Sequence, residues 1–178
     1  MSLRSTTLLP EIEQAVPALR RFARALIART GATQNPATNQ VLADDLVHET
    51  VLLALRSERS LDLSRPIRLS LFSSLIGFHA VHLKQAGFIQ PNAHVASDFT
   101  HNVEQGLIAA LDRLTFEDRV VLLLINLEQM SYDEVADVLH ITRALVIQRL
   151  VRARNQLARS MTGQQAASSL HPHLRLVK

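Results

Sequence analysis

The chain has 178 residues, of which 47% are hydrophobic, and its 19 Lys and Arg against 16 Asp and Glu leave a formal net charge of +3. Only six Pro and five Gly are present, so the composition predicts packed helices and excludes a disordered chain. Because Cys is absent, a disulfide framework and a thiolate metal site are both excluded, and we expect a cytoplasmic location.

The sequence gives no sign of a membrane segment. No apolar run approaches the roughly 18 residues that a membrane span needs, and the first residues lack the basic-then-apolar layout of a signal peptide. We therefore expect a soluble chain without membrane contact. The net charge is too small to indicate nucleic-acid binding by itself, since the local field decides such binding.

The first predicted helix covers about residues 17–29. Pro17 suits the first turn of a helix, where the missing N–H has no intrahelical partner to lose. Apolar residues follow on one side at helical spacing: Leu19, Phe22, Ala23, Leu26 and Ile27. Residues 31–40 contain the Gly, Asn and Pro of a loop.

The second predicted helix begins at about Pro36 or Thr38 and ends near Ser57. Its inward residues are expected to be Leu42, Leu46, Val47, Thr50, Leu53 and Ala54. This arrangement leaves four polar residues to cluster on the outer face: Asp44, Asp45, His48 and Glu49.

A third predicted helix begins after Pro66 and continues to about Lys84. His79 and His82 are three residues apart on one face of it, which is a spacing that could bind a metal. Because no third ligand is placed by spacing, and paired helix histidines are usually structural or solvated, we predict no metal site. Residues 87–102 lack helical periodicity and predict a flexible linker between two domains.

Residues 131–157 predict two helices joined by a very short turn. Ser131 and Glu134 have the capping-box spacing that starts a helix, and Thr142 can cap the next helix after only His140 and Ile141. The second helix has a buried stripe at i, i+4, i+7 and i+11, formed by Val146, Leu150, Ala153 and Leu157. Another face carries Gln148, Arg149, Arg152 and Gln156.

The charges around this turn are strongly asymmetric. Residues 112–137 contain seven acids and two arginines, whereas residues 143–159 contain five arginines and no acid. An Arg and Gln face on the second helix suits a major groove, where Arg reads guanine or phosphate and Gln reads adenine. The alternative is an ordinary helical hairpin with a solvated basic face.

Two stretches carry a resemblance to a known family. ADDLVHETVLLAL at residues 43–55 resembles the signature of sigma factor region 2, and residues 111–157, from LDRLTFEDRV to RARNQL, resemble region 4. Together they resemble the extracytoplasmic-function (ECF) type of the sigma-70 family. LRRFARAL at residues 19–26 resembles the general-stress subgroup of that type.

This resemblance implies an all-α fold of two small helical domains. Residues 1–86 would form a region 2-like bundle of three or four helices, residues 87–102 the flexible linker, residues 103–162 the region 4-like helix-turn-helix domain, and residues 163–178 a flexible tail.

The resemblance also implies roles for individual residues. Asp44, Asp45, His48 and Glu49 match the region 2 surface that docks on the largest subunit of RNA polymerase, and Arg143, Gln148, Arg149 and Arg152 match the helix that reads the upstream promoter element. Arg154 lies toward the core side of that helix, where reading DNA and pairing with an acid of the preceding helices both stay open.

Two segments depart from the family pattern. The promoter-melting segment lacks the expected Trp and Arg-Asn pair, and offers Phe78, His79, His82 and Lys84 to a melted strand instead. In the helix-turn-helix, His140 replaces the usual turn Gly, and Leu145 and Ile147 introduce apolar side chains on the exposed side. With Leu71 and Phe78, these two are expected to form apolar patches that favour compact closure or self-association.

Three functions therefore stay open at the level of sequence. The first is an ECF-type sigma factor that binds core RNA polymerase and promoter DNA, is held by an anti-sigma factor, needs no cofactor and catalyses nothing itself. The second is a sigma-like decoy that binds an anti-sigma factor without initiating transcription. The third is a helix-turn-helix repressor, in which ADDLVHET would have no role.

Overall fold

The structure is a computed structural model that describes residues 3–27, 36–56, 65–85, 110, 111 and 113–168. These residues form six α-helices, which we number α1 (Leu3–Ile27), α2 (Pro36–Arg56), α3 (Ile67–Gln85), α4 (Phe116–Asn126), α5 (Tyr132–Leu139) and α6 (Arg143–Ser168). The predicted all-α fold is confirmed for this part of the chain. None of the described helices is long and apolar enough to cross a membrane.

Helix α1 begins well before the predicted start at Pro17. Pro10 and Pro17 both lie inside the helix, and both are exposed. On the opposite side of the helix, an apolar stripe continues past both prolines. It is formed by six buried residues: Leu8, Ile12, Ala15, Leu19, Phe22 and Leu26. Burial of this stripe outweighs the cost of two missing N–H donors, which fall where water can reach the freed carbonyls.

Helix α2 has the predicted bounds to within a residue or two, but its buried stripe is displaced. Leu42 and Leu53 were expected inside and are 44% and 41% exposed, whereas Ala43 is fully buried. The stripe runs through Ala43, Leu46, Val47, Thr50 and Ala54. These residues face α1 and α3, which both pack against α2.

Helix α3 is close to its predicted span and is buried on more than one side. It contacts α1, α2 and α5, so its apolar residues are distributed around the helix rather than along one stripe. Leu71, expected in an exposed patch, is 1% exposed. Phe78 is half-buried against the core. Phe22 of α1 meets Phe72 of α3 edge to face, with ring centroids 5.3 Å apart.

Helices α4, α5 and α6 form the second half of the described structure, in which both α4 and α5 pack against α6. Thr115 caps α4 by accepting a hydrogen bond from the Asp118 N–H. Helix α6 continues to Ser168, so it extends into residues 163–178, which were predicted to form a tail. The predicted linker at residues 87–102 lies outside the described residues.

The two halves pack directly against each other. Helix α1 contacts α4, and α3 contacts α5. The buried apolar residues form one cluster that extends from Leu8 in α1 to Ala153 in α6. We call the zone where α1 and α3 meet α4 and α5 the seam. In this arrangement the halves share a hydrophobic core.

Candidate functional site

The short helix pair α5–α6 has the geometry of a helix-turn-helix. The Ser131 hydroxyl accepts from the Glu134 N–H at 3.2 Å, and the Glu134 carboxylate accepts from the Ser131 N–H at 2.8 Å. This capping box lowers the pKa of Glu134, mainly through the hydrogen bond from the Ser131 backbone. His140 ends α5 in the left-handed conformation, with φ 52° and ψ 44°. The predicted capping box is confirmed.

Helix α6 begins as the sequence indicates. The Thr142 hydroxyl accepts from the Leu145 N–H at 3.3 Å. Val146, Leu150 and Ala153 are buried, and Leu157 is half-buried, so the predicted stripe is confirmed. Packing of this stripe fixes which side of α6 faces outward.

The residues on the basic side of α6 differ in their exposure and in their contacts. Gln148 is exposed and Arg149 half-buried. Arg143 binds both carboxylate oxygens of Asp133 at 3.1 and 3.3 Å and lies 5.9 Å from the centroid of the Tyr132 ring. Arg143 therefore links the first turns of α5 and α6, at the end of α6 where a recognition helix enters a groove.

Arg152 forms the ion pair with an acid of a preceding helix that was considered for Arg154. The Arg152 guanidinium donates two hydrogen bonds, each 2.6 Å long, to the carboxylate of Asp118 in α4, and these raise the pKa of Arg152. The Asp118 side chain is fully buried. Arg154 is exposed, and its guanidinium lies 3.5 Å from the Asn126 amide oxygen. Arg152, predicted to read DNA, is the residue that pairs with an acid.

The outer face of α2 carries a partly paired acidic cluster. Asp44 lies 3.4 Å from Arg20 and 3.7 Å from Arg24 of α1. Glu49 lies 3.4 Å from the His82 ring. Asp45 and His48 are exposed. The four residues predicted to bind the polymerase thus share one face of α2, as expected, but two of them face cationic or titratable neighbours.

Helix α3 presents less to a DNA strand than the sequence indicated. His79 is 6% exposed, and burial, assisted by the charges of Arg119 and His82, lowers its pKa to about 4. Its ring lies 5.8 Å from that of Phe116 in α4. In this arrangement His79 is neutral and out of reach of DNA, whereas His82 and Lys84 are exposed. Among the described residues no group of three metal-ligating side chains occurs.

An ion pair across the seam was missed by the sequence analysis. Glu128, in the turn between α4 and α5, accepts from Arg21 of α1 at 3.1 and 2.7 Å. The only signal in the sequence is a single acid directly after the apolar run VVLLLINL at residues 120–127. Such an acid indicates a buried charge that needs a partner, but it does not identify the partner.

Comparison with known proteins supports the helix-turn-helix assignment. Residues 104–157 match the family described as sigma-70, region 4. Comparison with curated protein sequences gives no significant match.

Three solved structures share the fold over most of the chain. The sigma factor RpoE of Bartonella quintana, in a complex with the anti-sigma factor NepR, has a TM-score of 0.68 at 23% identity, covering 88% of this chain and 97% of that one. CnrH, in complex with the cytosolic domain of CnrY, has a TM-score of 0.58 at 22% identity, covering 89% and 88%. The anti-anti-sigma factor PhyR of Bartonella quintana, complexed with NepR, has a TM-score of 0.55 at 20% identity, covering 88% and 50%.

The local geometry and the comparisons agree on the same assignment. The segment that matches region 4 contains the capping box, the left-handed turn and the basic helix described above. Residues 104–157 are therefore similar to region 4 of the sigma-70 family, within a chain whose described helices share the fold of RpoE and CnrH.

Proposed function

We propose that this chain is a sigma factor that binds core RNA polymerase and directs transcription initiation at specific promoters. The observation that carries the proposal is the helix-turn-helix of α5 and α6, which lies within the region 4 match and holds a basic side of α6 outward. In this role the chain supplies recognition, and the polymerase makes the RNA.

For promoter DNA, the proposed contacts are Arg143, Gln148 and Arg149. Arg143 is steered by Asp133 and Tyr132 at the start of α6, which places a cation where a recognition helix meets DNA. Arg152 commits two of its five N–H donors to the Asp118 carboxylate, so fewer remain for a phosphate. We therefore assign base or phosphate contacts first to the other three residues.

For the polymerase, the proposed surface is the outer face of α2 around Asp45, His48 and Glu49. Its exposed acids are complementary to a basic partner surface, and such complementarity favours specific association. Exposed Val41, Leu42 and Leu53 lie on the same helix and add apolar area to the contact. Asp44 joins the contact if the partner displaces Arg20 and Arg24.

For regulation, we propose that an anti-sigma factor binds the chain. RpoE and CnrH, which share its fold, are each described in a complex with such a factor or with the cytosolic domain of a second protein. The LRRFARAL resemblance at residues 19–26 adds a role in a general stress response to this proposal.

The experiment is run-off transcription with purified core RNA polymerase on promoters selected by genomic binding. Wild type should direct initiation, and Asp45→Lys with Glu49→Lys should weaken core binding by a few kcal/mol through charge repulsion. The matched control reverses two exposed acids of α1, Glu11→Lys with Glu13→Lys, and should bind normally. Equal core affinity in both double variants, with native helical content, would rule out this docking surface.

A second candidate function is that of a sigma-like decoy for an anti-sigma factor. The observation in its favour is α3, where His79 is buried, Gly77 has no side chain and His82 pairs with Glu49, so few groups remain for strand separation. A decoy would bind the anti-sigma factor and give no run-off product with any promoter.

A further inference from the structure

One acid of the C-terminal half is completely enclosed by the N-terminal half. The Glu128 side chain has no exposed surface, and Arg21 of α1 binds both of its carboxylate oxygens. Arg68 of α3 donates to the Glu128 carbonyl at 2.8 Å and lies 3.9 Å from the carboxylate. Two cations from two helices of one half thus converge on a single residue of the other.

Arg68 is positioned for this contact by its own neighbours. Its guanidinium lies 5.6 Å from the centroid of the Phe72 ring, one helical turn further along α3. Its charge also helps to lower the pKa of Glu134 at the start of α5. A cation held between an aromatic ring and two acids of the opposite half has a defined orientation rather than a solvated one.

The rest of the seam follows the same face of α3. Ser73 lies 3.4 Å from His140, at the end of α5, and His79 packs against Phe116. The C-terminal half therefore contacts α3 at several points from Arg68 to His79, and Arg68 and Ser73 stay partly exposed. This is the helix that the family resemblance assigns to promoter melting.

We propose that Glu128, with Arg21 and Arg68, is an intramolecular latch that holds the two halves closed in the free chain and keeps part of α3, including His79, buried until a partner opens the seam. The latch itself rests on the contacts above, whereas its consequence for initiation rests on the proposed function. Opening returns water to the buried Glu128 carboxylate, while Arg21 and Arg68 are already partly exposed, and this hydration offsets part of the lost ion pairs. The latch therefore fixes the orientation of the halves while permitting release.

The latch can be tested by measuring the distance between the halves. Because the chain has no Cys, dyes can be attached at Glu13→Cys of α1 and Asp137→Cys of α5, both exposed positions, for single-molecule energy transfer. Glu128→Gln and Arg21→Ala should each increase the low-transfer, open population. Glu117→Gln, which neutralises an exposed acid of α4, is the matched control and should leave the distribution unchanged.

Arg21→Ala tests the latch without changing the buried Glu128 side chain, because Arg21 is half-exposed and lies outside the half that contains Glu128. An unchanged distance distribution in Arg21→Ala, with native helical content, would overturn the latch. If Glu128→Gln fails to fold, the distance distribution of Arg21→Ala still tests the latch.

Core RNA polymerase, added to the same labelled chains, separates the latch from the proposed function. We expect the polymerase to shift wild type to the open population and to bind Glu128→Gln more tightly, by the factor by which the open fraction has risen. If the variants open but bind no polymerase, the latch is supported and the proposed sigma function is wrong. Polymerase binding without separation of the halves, and equally tight for both chains, would overturn the latch and leave the sigma function.

Discussion

At the scale of single residues, Arg152 combines an exposed position with a structural contact. Its side chain is 55% exposed, yet its guanidinium binds both oxygens of the fully buried Asp118 carboxylate. A buried carboxylate is costly to leave unpaired, whereas a cation on the helix surface is readily solvated. Loss of the pair therefore costs more free energy at the buried Asp118 carboxylate than at the exposed Arg152 guanidinium.

Arg152→Ala is accordingly expected to destabilise the fold. Removing the partner of Asp118 should lower the free energy of unfolding by about 1–3 kcal/mol, measured by urea denaturation. Arg149→Ala is the matched control on the same helix, since Arg149 forms no ion pair with any of the described residues. It should leave stability nearly unchanged while weakening DNA binding. Equal stability of the two variants would mean that Arg152 serves DNA alone.

Gly77 lowers the stability of α3, and no packing requirement explains a glycine at this position. It lies in the middle of α3 and is exposed, and an added Cβ would meet no atom of the described residues within 4 Å. Gly→Ala at such a helix position reduces the entropy of the unfolded chain, so Gly77→Ala should raise stability by about 0.5–1 kcal/mol.

The reverse change on the same helix, Ala80→Gly, provides the control and should lower the urea midpoint. A Gly77→Ala protein less stable than wild type would contradict the open surroundings of this position.

At the scale of elements, the helix-turn-helix depends on its capping box. Ser131→Ala removes the acceptor for the Glu134 N–H and should cost about 1 kcal/mol of stability. Ser131→Thr keeps a hydroxyl and should recover most of this loss. Thermal unfolding of the three chains, followed by helical circular dichroism, checks the order. If the Thr variant is no more stable than the Ala variant, the hydroxyl does not support α5.

Local sequence signals predicted the elements whose ends are set by local chemistry. The Ser131–Glu134 box, the Thr142 cap and the break before Pro66 each fix a terminus within a few residues, so α2, α3, α5 and the start of α6 were anticipated. The signals failed where packing overrides them. Pro17 was taken as a helix start because Pro favours that position, but the apolar stripe that begins at Leu8 continues the helix through it.

The predicted faces were less secure than the predicted spans. On α2 an alternative stripe through Leu42 and Leu53 is as apolar as the one through Ala43 and Ala54, and only the positions of α1 and α3 decide between them. Ala43 and Ala54 lie on the buried side because small side chains fit where α1 and α3 pack against α2. Hydrophobicity alone favours the larger side chains.

At the scale of the whole molecule, the seam could not be predicted from local patterns. Arg21 and Glu128 are 107 residues apart in the chain, and many acids and arginines could have been paired instead. The candidate site shows the same limit. Its residue types on α2 and α6 followed from motifs, but the pairing of Arg152 with Asp118 and the burial of His79 arise only when α4 packs against α6 and α3.

The seam also gives the molecule a dependence on pH through His79. The folded chain lowers the pKa of His79 from 6.5 to about 4, because burial disfavours the charged ring and the nearby Arg119 and His82 repel it. The unfolded chain therefore binds a proton more readily over this range. The contribution of His79 to stability should fall as the pH falls from about 6.5 toward about 4, by about 3 kcal/mol, with no further loss from this group below pH 4.

Urea unfolding of wild type and His79→Leu at a series of pH values provides the measurement. The Nε2 atom of His79 has no hydrogen-bond partner among the described residues, so replacement by Leu breaks no hydrogen bond there. His79→Leu should remove this part of the acid sensitivity while leaving stability near neutral pH similar or higher. His82→Gln changes an exposed histidine three residues further along α3 and should keep the sensitivity. Because the His79 ring contacts Phe116 of the opposite half, protonation loosens the seam as well as α3. Parallel pH profiles for wild type and His79→Leu would place the acid sensitivity elsewhere and contradict a neutral, buried His79.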